Sequence, residues 1–172
     1  MSEEPDTSDT VLVDTNVFVA VGEPETAKYR SLREYAQRRG LVLLVPQRVH
    51  WELSAMHVAN RVETAVENGW AEIVDPPSPT QAEAVTAMDV VRREIARRSD
   101  KDEHDVEKAD TVLAGLAIEY CHRRGETVFV LTDDRVAGAA IRLAVRQQGY
   151  EGAVTVITRD DILDSDDDIR LI

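Results

Sequence analysis

A single cysteine, Cys121, is all that the chain contains, so no internal disulfide can form and no cysteine-based zinc cluster can be built. A reducing cytosol is the simplest home for such a chain. Lysine is nearly as scarce: Lys28, Lys101 and Lys108 are the only ones, and arginine supplies the rest of the positive charge. No apolar run approaches the ~20 residues of a membrane span. The opening Met1-Ser2-Glu3-Glu4-Pro5-Asp6 is acidic and lacks the basic-then-apolar order of a signal peptide, so a cytoplasmic protein with no membrane partner is expected. His50, His57, His104 and His122 have no consistent metal-ligand spacing. Internal repeats and low-complexity stretches are absent as well.

What the chain has in excess is acid: 33 Asp and Glu against 20 Lys and Arg, a net charge of −13 and a pI of about 4.7. This balance argues against a general basic surface for nucleic acid. An acidic surplus with few lysines is expected of a halophilic protein, because self-repulsion is screened when the Debye length falls to about 3 Å at 1 M salt. An ordinary acidic cytosolic protein is the other reading.

The 172 residues, 43% hydrophobic and 31% charged, fit one globular domain with a real core. We expect a disordered acidic lead-in over 1–9, one domain over 10–163 and an acidic tail over 164–172 that ends on the apolar Ile169-Arg170-Leu171-Ile172. Continuous apolar runs predict buried strands at 10–13, 41–45, 127–131 and 154–157, with a further short strand at 71–74. Between them, helical patterns cover 25–39, 47–68 (in one or two pieces), 81–98, 106–124 and 135–148, several stopped by glycine. Asp75-Pro76-Pro77-Ser78-Pro79 is a breaker, and Ser99–Asp105 a charged loop. Strands that are apolar throughout and alternate with helices predict an α/β fold: a three-layer α/β/α sandwich with a central parallel sheet of four to five strands.

Four carboxylate positions stand out against this frame. Asp14 directly follows the first strand, and Asp133 and Asp134 follow the strand ending at Leu131. In an open parallel sheet that is the ligand-binding edge. Each could equally cap the helix that comes next. Glu52 shares a helical stripe with Val49, Met56 and Ala59, and Asp110 with Val106, Leu113 and Ala117. A carboxylate on an inward stripe is costly unless it is paired, for instance with an arginine, or binds a metal. Two such residues with two strand-end aspartates point to one shared divalent-cation pocket and thus to phosphate chemistry.

The order Val13-Asp14-Thr15-Asn16, then Pro46 and a helix carrying Glu52, then Ala109-Asp110-x-x-x-Ala114, then Leu131-Thr132-Asp133-Asp134 resembles the PIN-domain nucleases, VapC-like ribonucleases included, over roughly Thr10 to Thr158. The resemblance implies a parallel sheet between helices, an acidic quartet of Asp14, Glu52, Asp110 and Asp134, and Asn16 and Thr132 as supporting polar residues. Its usual spacing selects Asp134, with Asp133 beside it as a supporting residue or substitute. It further implies Mg²⁺ or Mn²⁺ as cofactor, RNA as substrate and, often, a homodimer.

On that reading Asp14, Asp110 and Asp134 hold the metal and Glu52 orients or deprotonates the attacking water. Like charges this close should raise at least one carboxylate pKa when no metal is bound. Arg48, His50 and Trp51, just before Glu52, and Arg135, after Asp134, are candidates for gripping phosphate or stacking on bases; surface arginines with Trp51 in the core are the plainer alternative. A haloacid-dehalogenase-like phosphatase would need an Asp where Asn16 stands and a lysine late in the fold; a receiver domain lacks the same lysine. Two other settings stay open: the toxin of a toxin–antitoxin pair, with an antitoxin protein as partner, and a non-catalytic module that binds RNA or protein through the same fold.

Overall fold

The computed structural model describes residues 4–78, 81–106, 108–125 and 127–163. Five strands form one sheet: β1 (Thr10–Val13), β2 (Leu43–Pro46), β3 (Ala71–Val74), β4 (Val128–Leu131) and β5 (Val154–Ile157). All neighbours pair in parallel, in the order β3-β2-β1-β4-β5. The chain therefore walks outward from β1 through β2 to β3, then returns to lay β4 on the other side of β1. Strand order reverses between β1 and β4, where Val13 stands opposite Leu131.

That reversal puts the helices on two faces. α1 (Thr15–Val21), α2 (Ala27–Arg38), α3 (Gln47–Ala55) and α4 (Asn60–Glu67) connect the first three strands. α5 (Ala82–Ser99), α6 (Lys108–Arg124) and α7 (Arg135–Gln147) belong to the return and the last crossover. A change of walking direction requires the opposite face if every crossover keeps one hand. The core divides accordingly. Val11, Val13, Leu43, Val45, Phe129 and Leu131 pack with α1–α4. Leu12, Val128, Val130, Val154 and Val156 pack with α5–α7. Alternate residues of each strand thus meet different helices, which is why the strands read as unbroken apolar runs rather than alternating ones. This is the three-layer α/β/α sandwich expected.

Several boundaries differ from expectation for local reasons. The second strand begins at Leu43, not Leu41. Gly40 takes φ 65° after α2, and its N–H and that of Leu41 bond back to Gln37 and Ala36 carbonyls, so Leu41 closes the helix instead of joining the ladder. The stretch 47–68 is two helices. His57 adopts φ 61° and ends the first, with Val58 N–H bonded to the Leu53 carbonyl. α1 was not anticipated, because its Val-Phe-Val-Ala-Val sequence favours strand. Burial of Val17, Phe18 and Val21 on one helical face, with Asp14 accepting from Thr15 N–H at the N-terminus, overrides that preference. A short 3₁₀ turn at Glu103–Asp105 occupies part of the charged loop.

Of the stretch expected as an acidic lead-in, residues 4–9 lie against the domain. Pro5 is buried, Arg39 pairs with Glu4 and reaches the Pro5 carbonyl, and Asp6 accepts from Ser8. The acidic tail and its apolar end lie outside the described residues. No helix among the described residues is long and apolar enough to cross a membrane.

Gly115 marks the tightest approach of α6 to its surroundings. A Cβ built there would stand 2.8 Å from Met88 Sδ on α5 and 3.0 Å from Pro77 Cγ. Removing a helical glycine gains up to about 1 kcal/mol, whereas overpacking a filled core costs about 1–3 kcal/mol, and proline cannot rotate away. Gly115→Val is expected to lower stability by about 2 kcal/mol in urea denaturation. An unchanged or raised midpoint would show that α5 and α6 are not in this register.

Candidate functional site

Asp14 is the first residue beyond β1, and Thr132 the first beyond β4. The parallel pairing of these strands brings the two side by side: Asp14 N–H bonds to the Leu131 carbonyl at 3.0 Å, and Thr132 N–H to the Ile157 carbonyl at 3.0 Å. The Asp14 carboxylate is only 2% exposed. Its Oδ1 accepts from Thr15 N–H at 2.7 Å. Its Oδ2 accepts from the Thr132 hydroxyl at 2.8 Å and from Asn16 Nδ2 at 3.0 Å.

Asn16 and Thr132 are the hub of a polar lattice that joins the two strand ends. Asn16 Nδ2 also donates to Thr132 Oγ1 at 3.2 Å, and Asn16 Oδ1 accepts from Asp133 N–H at 3.0 Å. Thr132 Oγ1, having given its proton to Asp14, accepts from Asp134 N–H at 3.2 Å. Asn16 and Thr132 both bond to the Asp14 carboxylate, and their donor and acceptor roles are mutually fixed.

The adjacent aspartates after β4 have separate fates. Asp133 turns to β5: Arg159 N–H and Nε bond to its two oxygens at 3.0 and 2.5 Å. Asp134 opens α7, where its Oδ1 accepts from Val136 and Ala137 N–H at 2.9 and 3.0 Å. Among the described residues its Oδ2 accepts no bond, and the side chain is exposed. Capping and availability to a ligand therefore coexist in one carboxylate.

Glu52 comes from α3 and is half-buried. The apolar stripe expected around it does not form. α3 stops at Ala55, Met56 is 47% exposed, and only Val49 and Leu53 of the helix face the core. Glu52 instead points sideways to the site edge. Thr15 Oγ1 donates to its Oε2 at 2.8 Å, and Ala109 N–H lies 3.4 Å from its Oε1. Arg48 Nε stands 3.5 Å from the same oxygen, an ion pair without hydrogen-bond geometry. Asp110, one residue on from Ala109, is buried at 5% exposure in the first turn of α6, with Leu113 and Ala117 buried on its helix as expected. Three of the carboxylates thus sit at helix N-termini (α1, α6 and α7), where the backbone dipole favours negative charge. Arg135 is exposed at the start of α7.

The electrostatics follow from burial. Desolvation pushes the Asp14 pKa up to about 6; the bonds from Thr132 and Thr15 oppose this, and the charges of Asp134 and Glu52 add to it. One raised carboxylate was expected from crowding of like charge; burial is the larger cause here, and the neighbouring charges add to it. Among the described residues Asp14 has no cation partner, and Glu52 forms an ion pair with Arg48. A buried carboxylate without a counter-charge, among donors that are all oxygen, fits a hard divalent cation better than zinc. Among the described residues no three acidic, histidine or cysteine side chains close around one point.

A family model described as the Halobacterial PIN domain matches residues 7–170, nearly the full length. The chain is a PIN domain. No curated protein matches it. The PIN fold is a nuclease-type fold, and in this PIN domain the lattice around Asp14 occupies the β1/β4 switch point, where an open parallel sheet offers its ligand crevice. Sequence reasoning had no role for Thr15, which ties Glu52 to the β1 end, or for Arg159, which engages both oxygens of Asp133. Thr15 lies inside the Asp14-Thr15-Asn16 motif and could have been suspected. Arg159 gives no local signal, because its meaning depends on β5 lying beside β4.

The raised pKa has a measurable consequence for the metal-free protein. Asp14 titrates near 3.8 when unfolded and near 6 when folded, so between these values the folded chain holds the extra proton. Stability therefore falls as pH rises through this window, by about 1–2 kcal/mol between pH 5 and pH 7.5. Asp14→Asn is expected to lose less stability than wild type over the same interval when urea denaturation is compared in EDTA. Parallel curves for the two proteins would contradict a raised pKa at Asp14.

Proposed function

We propose that this PIN domain is a metal-dependent endoribonuclease that hydrolyses phosphodiester bonds of RNA with Mg²⁺ or Mn²⁺. The observation that carries this reading is the buried Asp14 carboxylate, uncompensated by any cation among the described residues and braced on both oxygens at the sheet's switch point. Asp14, Asp110 and the open oxygen of Asp134 would hold the ion. When bound, it would supply a water of lowered pKa and stabilise charge on the phosphoryl oxygens. Asn16 and Thr132 hold Asp14 in one rotamer. Thr15 holds Glu52 at the edge, where its carboxylate can orient an attacking water and take its proton. Arg48 and Arg135 flank the acidic residues and are suited to phosphate oxygens.

One observation favours a second reading, a PIN-fold module that binds RNA or protein without cutting. Among the described residues the acidic side chains are not drawn around a common point. Against this, all four acidic positions are filled, and the Asp14 lattice is complete. A toxin role would add a dedicated inhibitor protein, and co-purification with the product of a neighbouring small gene is its test. Scarce lysine and a charge of −13 support work at high salt, so activity should be assayed in both regimes.

Single-stranded RNA is expected to be cut with Mn²⁺ or Mg²⁺, in low or multimolar salt, and left intact in EDTA. Intact RNA under all these conditions, with Mn²⁺ binding demonstrated, would favour the module. The two aspartates after β4 give a sharper check by calorimetric titration with Mn²⁺. Asn caps a helix as well as Asp does, so Asp134→Asn is expected to keep stability and lose affinity roughly tenfold or more, in line with loss of a metal contact. Asp133→Asn is expected to lose stability through Arg159 and keep affinity. The reverse pattern would move the site to Asp133.

A further inference from the structure

Trp51 is 55% exposed, one residue before Glu52 on α3. The other aromatic side chains of the described residues are buried or half-buried, Trp70 at 1% among them. Exposing a tryptophan forgoes the largest apolar burial a side chain can offer. Position explains its setting. Val49 and Leu53 take the core face of α3, and Arg48 and Ala55, at i−3 and i+4, lie beside Trp51 on the outward strip. Glu52, held by Thr15, borders that strip. An indole, a guanidinium and the edge of the carboxylate lattice therefore run side by side.

We infer that Trp51 is a stacking platform for an unpaired base of the substrate strand, next to the phosphate that enters the site. The inference rests on the ribonuclease reading. The strip's place at the site edge, beside Arg48 and Glu52, favours a base over a protein partner. Arg48 lies on the same strip with its side chain 35% exposed; its Nε faces Glu52 at 3.5 Å, and the rest of its guanidinium suits a phosphate oxygen one step along the strand. The net charge of −13 repels a polyanion, so a grip made of charge alone would be weak. Phosphate contacts also lose affinity steeply as salt rises, whereas a π-face against a base does not depend on counter-ions. An acidic nuclease that works in salt is best served by an aromatic contact, and Trp51 offers one at the site edge.

The test compares wild type, Trp51→Ala and Trp51→Phe at full length, with a short fluorescein-labelled single-stranded RNA followed by anisotropy in EDTA, at low and at multimolar KCl. Trp51→Ala is expected to weaken binding on the order of tenfold or more in both salts, as loss of a stacked base does. Trp51→Phe should stay close to wild type, and Mn²⁺ affinity should be unchanged in both variants. In cleavage assays Trp51→Ala should raise KM and spare kcat. Equal binding by wild type and Trp51→Ala, while wild type binds and cuts RNA, overturns the platform and leaves the nuclease reading standing. A dimer that becomes a monomer on Trp51→Ala in sedimentation overturns it too, by making this strip a subunit interface. A wild type that neither binds nor cuts RNA defeats the nuclease reading itself, and the platform with it.

Discussion

The Asp14 carboxylate is buried between the ends of two parallel strands, and the polar structure around it exists to hold it there. An ionised group so placed is tolerable only if its oxygens are bonded and its charge is answered. Thr15 N–H, the Thr132 hydroxyl and the Asn16 amide meet the first condition. Among the described residues the second is unmet, and Asp134 and Glu52 add to the repulsion. Structures rarely keep such a group without return, because a polar but uncharged residue would cost less. Stability given up at the site is what a resident cation would restore.

The sheet makes this arrangement possible. Because β4 returns to the far side of β1, two strand ends with no hairpin between them lie next to each other, and the loops that leave them go to opposite faces. The gap at that reversal is the natural crevice of an open α/β sheet. α3 and α6 reach the same edge from the two layers and bring Glu52 and Asp110. Acid in this molecule therefore does two different things. A few carboxylates stand braced at one sheet edge, whereas others, such as Glu94 between Arg97 and Arg98 on α5, are held in ion pairs away from it.

Much of the fold was legible because the strands are buried on both faces. Runs such as Val11-Leu12-Val13 and Val128-Phe129-Val130-Leu131 can hardly sit anywhere else. α1 was illegible because its β-branched sequence argues against helix and only tertiary burial of Phe18 and its neighbours decides otherwise. At the site, Asp14, Asn16 and Thr132 could be read from motif order. Spacing already selected Asp134 over Asp133, but the bond that holds Asp133 could not be read, because its partner, Arg159, lies 26 residues on, just past β5. Nor could the exposure of Trp51. A tryptophan on a helix with Val49 and Leu53 reads equally well as core until the helix is placed.

The account stands or falls on whether Asp14 is a charged group waiting for a cation. Carbon-13 NMR of the labelled aspartate side chains, titrated with and without Mg²⁺, measures this directly. The account predicts that the Asp14 carboxyl titrates near 6 in the metal-free protein and that saturating Mg²⁺ drives the midpoint down as the ion competes with the proton. An ordinary carboxylate midpoint in the metal-free protein, or one that ignores Mg²⁺, would contradict it.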